Sequence, residues 1–260
     1  MNIPFYKYQG TGNDFVIIDN RTLGLKREDV AHIQKICDRR FGIGADGLIY
    51  LQNKEGYDFE MVYYNSDGRE STMCGNGGRC IVKFAHDLGL GAAEFSFLAI
   101  DGPHKGKILP DGIVSIRMQD VTHTSHRGDH YVLDTGSPHY VSFVKDIDHY
   151  PVAAKGSEIR YSDTFKEKGI NVNFVEELAK GIIYVRTYER GVEGETYSCG
   201  TGVVASAISY FYEKDQGAMD IQIRTLGGQL EVRFDLDGLH FVDIWLTGPA
   251  EQVFRGETTI

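Results

Sequence analysis

The amino-acid sequence predicts an α+β protein of two similar lobes with a ligand site in the cleft between them, on three observations. Met73-Cys74-Gly75-Asn76-Gly77-Gly78-Arg79-Cys80 sets a thiol against backbone-exposing glycines, and Ser198-Cys199-Gly200-Thr201-Gly202 returns the arrangement Cys-Gly-polar-Gly 125 residues later. Each cysteine follows a β-like run and a polar loop, and each precedes an apolar run at intervals of about 3.6 residues: Ile81, Phe84, Ala85 and Leu88 in one case, Val203, Val204, Ala207, Ile208 and Phe211 in the other. Most of the remaining chain reads as short strands divided by turns. Aligning the two cysteines sets Tyr63 on Tyr188, Asn65 on Arg190 and Glu70 on Glu195, a weak internal duplication that predicts one lobe per half and a ligand between them.

Both cysteines fall at predicted helix starts. The unpaired N–H groups and positive dipole end of a helix favour an anion, and the anion of a thiol is its nucleophilic and basic form. Glycines there let a carboxylate approach the backbone closely enough to be held by those N–H groups. Two such places in matching contexts point to two thiols facing a common ligand.

In chain order, Phe5 to Tyr8 and Phe15 to Ile18 read as strands around the turn Gly10-Thr11-Gly12-Asn13-Asp14, where Asn13 reads first as a residue suited to left-handed backbone. A helix is predicted over Glu28 to Arg40, burying Val30, Ile33 and Ile36, with Cys37 as core filling. Gly42-Ile43-Gly44-Ala45-Asp46-Gly47 resembles a phosphate loop only superficially, because no Lys-Ser/Thr follows and Leu48 to Leu51 reads as a strand. Further strands are predicted over Asp58 to Tyr64, Glu94 to Ile100, Gly106 to Leu109, Ile113 to Met118, Tyr140 to Val144, Asn171 to Val175, Ile182 to Tyr188, Met219 to Thr225, Gln229 to Phe234 and Leu239 to Leu246. The lobe boundary falls near Met118 to Thr124, without a long, Pro-rich or Ser-rich linker, giving lobes 1–118 and 119–248.

Bulk composition narrows the function. At 260 residues, 42% hydrophobic and 12% aromatic, the chain can build well-packed cores. No stretch approaches the roughly 20 apolar residues of a membrane span, and the N-terminus lacks the design of a signal peptide, so a cytoplasmic location is expected. A formal charge of −10 with interspersed signs and no basic stripe argues against a nucleic-acid partner. The four cysteines, Cys37, Cys74, Cys80 and Cys199, form no Cys-x-x-Cys pair, which points to free thiols in a reducing compartment rather than to zinc or a disulfide framework.

With both cysteine loops in view, the chain resembles the diaminopimelate epimerase family over essentially its whole length. The resemblance rests on the Gly-Thr-Gly-Asn-Asp-Phe opening, Gly42 to Gly47, Asn65-Ser66-Asp67-Gly68, Cys74 to Arg79, Ser137-Pro138-His139, Asn171-Val172-Asn173-Phe174, Glu189-Arg190-Gly191 and Cys199 to Gly202. It implies two pseudo-symmetric lobes, each a mostly antiparallel sheet wrapped around a central helix, with 249–260 returning to the first lobe, and a homodimer. It also implies cofactor-independent interconversion of LL- and meso-diaminopimelate, in lysine and peptidoglycan precursor biosynthesis, with no metal, pyridoxal phosphate or nucleotide.

Inverting a carbon without a cofactor requires an acid/base group on each face. The resemblance assigns these roles to Cys74 and Cys199, one as thiolate base and the other as thiol acid. The amides near Gly75, Asn76, Gly200 and Thr201 would hold the α-carboxylate as its charge grows. Asn13, Asn65, Asn171, Glu189 and Arg190 match substrate-holding positions, Arg190 being suited to the distal carboxylate. His139 and Glu189 match residues that support the thiols electrostatically. Cys80, about two turns into the helix after Cys74, reads as packed.

Two departures from the family stand out: Gly47 where many members carry Gln, and Ser137 where they carry Asn. Two rival readings are a two-thiol racemase of proline or hydroxyproline, which would not need Asn65, Asn171 and Arg190 for a longer substrate, and a non-catalytic ligand-binding or thiol-redox protein of the same fold.

Overall fold

The computed structural model describes residues 2–25, 30–91, 93–214, 217 and 219–259. The chain divides into two compact units, Met1–Ile116 with Gly248–Ile260, and Arg117–Thr247.

In the first unit, β1 (Asn2–Gly10) and β2 (Asn13–Asp19) form a hairpin whose two turn residues, Thr11 and Gly12, have φ of 49° and 84°. That pair of positive angles is what a type I′ turn requires, so the left-handed backbone expected at Asn13 is carried by Thr11 and Gly12. Helix α1 (Val30–Cys37) leads to β3 (Gly47–Gln52), parallel to β2; β4 (Phe59–Asn65) runs antiparallel to β3, and β5 (Glu70–Ser71) folds back on β4. After α2 (Gly75–Asp87), β6 (Glu94–Ala99) joins β4 in parallel and β7 (Gly102–Ile108) and β8 (Val114–Arg117) continue as a meander. The C-terminal strand Glu251–Thr259 pairs antiparallel with β1.

The second unit repeats this plan strand for strand. β9 (Thr124–His126) pairs antiparallel with β10 (His130–Asp134), and β10 with β11 (Pro138–Phe143). Helix α3 (Val152–Arg160) leads to β12 (Asn171–Ala179), parallel to β11; β13 (Ile182–Glu189) is antiparallel to β12, and β14 (Gly194–Thr196) folds back on β13. After α4 (Gly200–Glu213), β15 (Asp220–Thr225) joins β13 in parallel, followed by β16 (Gly228–Asp237) and β17 (His240–Gly248). Helix α3 stands where α1 stands and α4 where α2 stands. The expected α+β architecture of two similar, mostly antiparallel lobes is therefore present in the pairing itself.

Each sheet is covered on both faces. Helix α2 is buried nearly all round and packs against β1, β2, β3 and β7, and α4 does the same against β10 to β13, β15 and β16. A helix buried on nearly every side belongs at a centre, not at a surface. On the opposite face, Ile33, Ile36 and Cys37 of α1 pack on Val16, Ile18, Leu48, Tyr50, Val62 and Tyr64. In the second unit Val152 of α3 packs on Val172, Phe174 and Tyr188. Strands buried on both faces read as continuous apolar runs, which is why the apolar stretches of β2, β3 and β4 are legible locally.

Several expectations need correction. Helix α1 ends at Cys37, because Asp38 turns the chain by accepting the amides of Arg40 and Phe41, both at 2.7 Å. Its predicted start at Glu28 lies outside the described residues, and Val30 is exposed rather than buried. Cys37 is core filling as expected, and burial pushes its thiol up to about 12. Helix α3 and strands β5, β9, β10, β14 and Glu251–Thr259 were not predicted. Gly156 counts against a helix by about 1 kcal/mol, yet the Tyr188 side chain lies where its Cβ would be, 2.3 Å away. Among the described residues no helix is long and apolar enough to cross a membrane.

Candidate active site

Both cysteines are the N-cap residues of the central helices, with extended backbone at Cys74 (φ −91°, ψ 134°) and Cys199 (φ −116°, ψ 112°). The first intrahelical bonds close at Gly78 N–H to Cys74 O and at Val203 N–H to Cys199 O, so neither helix has an acceptor of its own for the amides of Gly75 and Asn76 or of Gly200 and Thr201. One glycine of the run has a packing cause as well: a Cβ at Gly78 would lie 2.8 Å from Met73 Sδ and 3.1 Å from Ile116 Cδ1.

In the first unit the structure brings Asn13, Cys74 and Asn76 together. Asn13 Oδ1 accepts from the Cys74 thiol at 3.7 Å and from Asn76 Nδ2 at 3.4 Å, while Asn13 Nδ2 donates to Asp46 at 2.6 Å. Asp46 thereby sets which way the Asn13 amide faces. It is itself held by Arg39, which also grips Asp14 through two bonds of 2.6 and 2.9 Å, and Asp14 pairs with buried Lys7 at 2.7 Å. Burial works against the Asp14 charge, but hydrogen bonds and charges from Arg39 and Lys7 outweigh it and hold the carboxyl down to about 2. The Gly42 to Gly47 segment is thus a support for Asn13, a role that sequence reasoning missed and that only its place in the family motif could have suggested.

Beneath Cys74 lies Arg79, fully buried. Its guanidinium donates to Asn76 Oδ1 at 2.9 Å, Thr11 Oγ1 at 3.1 Å, Gly75 O at 3.3 Å and Pro249 O at 3.3 Å. Burial lowers its pKa to about 10, with the nearby Cys80 and Cys74 opposing that shift, so the side chain remains a cation at neutral pH. Cys80 is fully buried and burial pushes its thiol up, which suits packing. Asn65 ends β4 and its Oδ1 accepts from the Tyr63 hydroxyl at 2.7 Å. A Cβ at Gly47 would lie 2.6 Å from the Tyr63 ring and 2.5 Å from Tyr64 O, so in this chain Tyr63 occupies the space a larger residue 47 would take.

In the second unit Ser137, Asn171 and Arg190 converge. Asn171 Nδ2 donates to Ser137 Oγ at 2.9 Å, Asn171 Oδ1 accepts the Arg190 amide at 2.9 Å, and the Arg190 guanidinium donates to Lys168 O at 3.0 Å and Ser137 Oγ at 3.4 Å. Neither of those two acceptors is an anion. Glu189 ends β13, half-buried. His139 is fully buried, with Nε2 at 2.9 Å from Thr201 Oγ1, and that hydroxyl lies 3.5 Å from Cys199 Sγ. Burial, with the Arg190 charge adding to it, pushes the imidazole down to about 3, so any support it lends a thiol comes from a neutral ring. Among the described residues no group of three His, Cys, Asp or Glu side chains is placed to hold a metal ion.

Two expectations follow. Gly47→Gln should cost about 1–3 kcal/mol by overpacking against Tyr63 and the Tyr64 carbonyl; an unchanged denaturation midpoint would show that Tyr63 yields freely. Burial holds the folded His139 imidazole down to about 3 against an ordinary value of 6.5, so between these limits the unfolded chain binds a proton that the native one does not. Its contribution is complete above the upper value and lost as pH falls below it. The denaturation midpoint should therefore decline from pH ~7 to pH ~4 more steeply in the wild type than in His139→Gln; parallel declines would mean that native His139 is protonated.

The family model for diaminopimelate epimerase matches residues 5–128 and 131–253. The diaminopimelate epimerase of Flavobacterium psychrophilum is 50% identical over 99% of this chain and 100% of its own length, and that of Chlorobaculum tepidum is 39% identical over 96% and 99%. Among solved structures, a phenazine biosynthesis protein of the PhzF family from Bacillus anthracis superposes with a TM-score of 0.80 at 16% identity, covering 100% of both chains. A hydroxyproline epimerase from Agrobacterium vitis, with trans-4-hydroxy-L-proline bound, does so at 0.71 and 14%, covering 99% of this chain and 92% of its own. These distant structures share the fold alone; the match along the sequence is what decides the family, and the chain belongs to the diaminopimelate epimerase family.

Proposed function

We propose that this protein interconverts LL- and meso-diaminopimelate without a cofactor, Cys74 and Cys199 acting on opposite faces of one α-carbon. The observation that carries the reading is the equivalence of the two thiols: each is the N-cap of the central helix of its unit, at the same topological point, with glycine next in the chain.

One cysteine, as thiolate, takes the α-proton and becomes a thiol; the other, as thiol, gives its proton to the opposite face and becomes a thiolate. The carbon is inverted, the total number of protons is unchanged, and the reverse reaction exchanges the roles. The electron pair left by the departing proton is delocalised onto the α-carboxylate, whose growing charge the amides of Gly75, Asn76, Gly200 and Thr201 hold. These dipoles are fixed by the helices, so they need no reorganisation as charge develops.

Arg190, whose two acceptors are neutral oxygens, grips the distal carboxylate, with Asn171, Asn65 and Asn13 orienting the amino and carboxylate groups. Glu189 joins that binding set, and Glu189 and neutral His139 support the thiols. A proline or hydroxyproline racemase would share the fold and the cysteines. The sequence relatives and the Ser137–Asn171–Arg190 cluster favour the longer substrate. In this reading the enzyme works as a cytoplasmic homodimer supplying lysine and peptidoglycan precursors.

Incubating reduced protein with LL-diaminopimelate in deuterated water tests the reading. Deuterium should enter the α-position as meso product appears, and both Cys74→Ala and Cys199→Ala should lose epimerisation by at least about 1000-fold. Exchange without inversion would mean that one face lacks its acid; no exchange by folded, reduced protein would redirect the search to proline and other amino acids. Sedimentation of the active species as a monomer would remove the homodimer.

A further inference from the structure

A run of hydrogen bonds connects the sheet of the second unit to Cys199. On β13, Thr187 Oγ1 donates to Asn173 Oδ1 at 3.0 Å. The Asn173 amide nitrogen donates to the Tyr140 carbonyl at 3.0 Å and faces His139 Nδ1 at 3.0 Å. The Tyr140 carbonyl accepts only, so the amide cannot be turned over, and an NH2 group donates only, so His139 Nδ1 is the acceptor. The imidazole hydrogen therefore sits on Nε2, pointing at Thr201 Oγ1 2.9 Å away. Having accepted that bond, the Thr201 hydroxyl still has its own hydrogen to give, and Cys199 Sγ is 3.5 Å from it.

Packing leaves this arrangement no slack. Asn173 and His139 are both fully buried, and a Cβ at Gly202 would lie 2.3 Å from Asn173 Oδ1, so α4 begins directly upon the amide. Asn173 is not among the substrate-holding or thiol-supporting positions that the resemblance supplies.

We propose that Asn173 is a positioning residue that locks His139 as the neutral Nε2–H tautomer, and that His139 thereby aims the Thr201 hydroxyl hydrogen at Cys199, favouring its thiolate. The inference rests on reading Cys199 as an acid/base group. A thiolate accepts and cannot donate, so it gains from a hydroxyl whose lone pair is already engaged by the imidazole. A ring with its hydrogen on Nδ1 would instead accept from Thr201 and draw that hydrogen away.

The test measures the pH dependence of iodoacetamide alkylation at Cys199 in Cys74→Ala protein, the modified peptide being identified by mass spectrometry. Thr201→Ser should keep the midpoint of the parent. Thr201→Val and Asn173→Asp should each raise it by about one pH unit, and combining them should add nothing further, since both break one chain. In parallel, nitrogen-15 NMR of the buried histidine should find the hydrogen on Nε2 in the wild type and on Nδ1 in Asn173→Asp. A wild-type ring protonated on Nδ1, an unmoved midpoint in Thr201→Val, or additive shifts in the double variant would each overturn the proposal. The tautomer is read from wild-type protein and so does not depend on any variant folding. No substrate is present, so failure to turn over diaminopimelate would defeat the functional reading and leave this result standing.

Discussion

A helix that begins inside a protein brings amide N–H groups that its own carbonyls cannot satisfy, and both central helices begin in this way. The constraint explains much of what surrounds them. Glycine recurs in the first turn of each, and at Gly78 and Gly202 a neighbouring side chain stands close to where a Cβ would be. Each N-cap is a cysteine, and neither makes a side-chain capping hydrogen bond to its helix. A thiol at that position lies beside the positive end of the helix, where its anion is favoured.

Holding such a start in place takes buried polar structure, and the two units do it differently. In the first, the cation of Arg79 binds the side chains and carbonyls of the opening turn, and an ion-pair cluster of Lys7, Asp14, Arg39 and Asp46 orients Asn13 against Cys74. In the second, the support is neutral: Thr187, Asn173, His139 and Thr201 form one run of hydrogen bonds. Burying an arginine without a carboxylate partner is costly unless its N–H groups find acceptors, and here Thr11, Gly75, Asn76 and Pro249 supply them. A network of this kind is valuable only when complete, since each unpaired member would cost its full desolvation.

The repetition of one topology in both units contrasts with the divergence of their side chains. Strand order, parallel pairings, outer helix and central helix recur, whereas Asn65 in one half corresponds to Arg190 in the other, and the amide beside the first cysteine corresponds to a hydroxyl beside the second. Backbone pairing tolerates such exchange, because ladders and helix packing depend on apolar pattern and glycine placement more than on polar identity. Function can therefore change at the sites while the fold stays the same.

By itself, the sequence determined what depends on neighbours along the chain. Glycines after Cys74 and Cys199, followed by apolar residues at helical spacing, specify two helix starts; strands apolar on both faces announce themselves; and the repeated order of these signals reveals a duplicated α+β plan. Only the tertiary structure decided features whose cause lies far away in the chain. Helix α3 is hidden by Gly156, which exists because Tyr188 needs its space, and the polar strand Glu251–Thr259 is a strand only because β1 offers it a ladder. Tyr63 filling the place of a side chain at Gly47, Arg79 reaching the Pro249 carbonyl, and Asn173 setting the tautomer of His139 likewise have no local signature. Local propensity is set within a few residues, whereas burial and hydrogen-bond partners are set by which strands become neighbours, and that is a property of the whole folded chain.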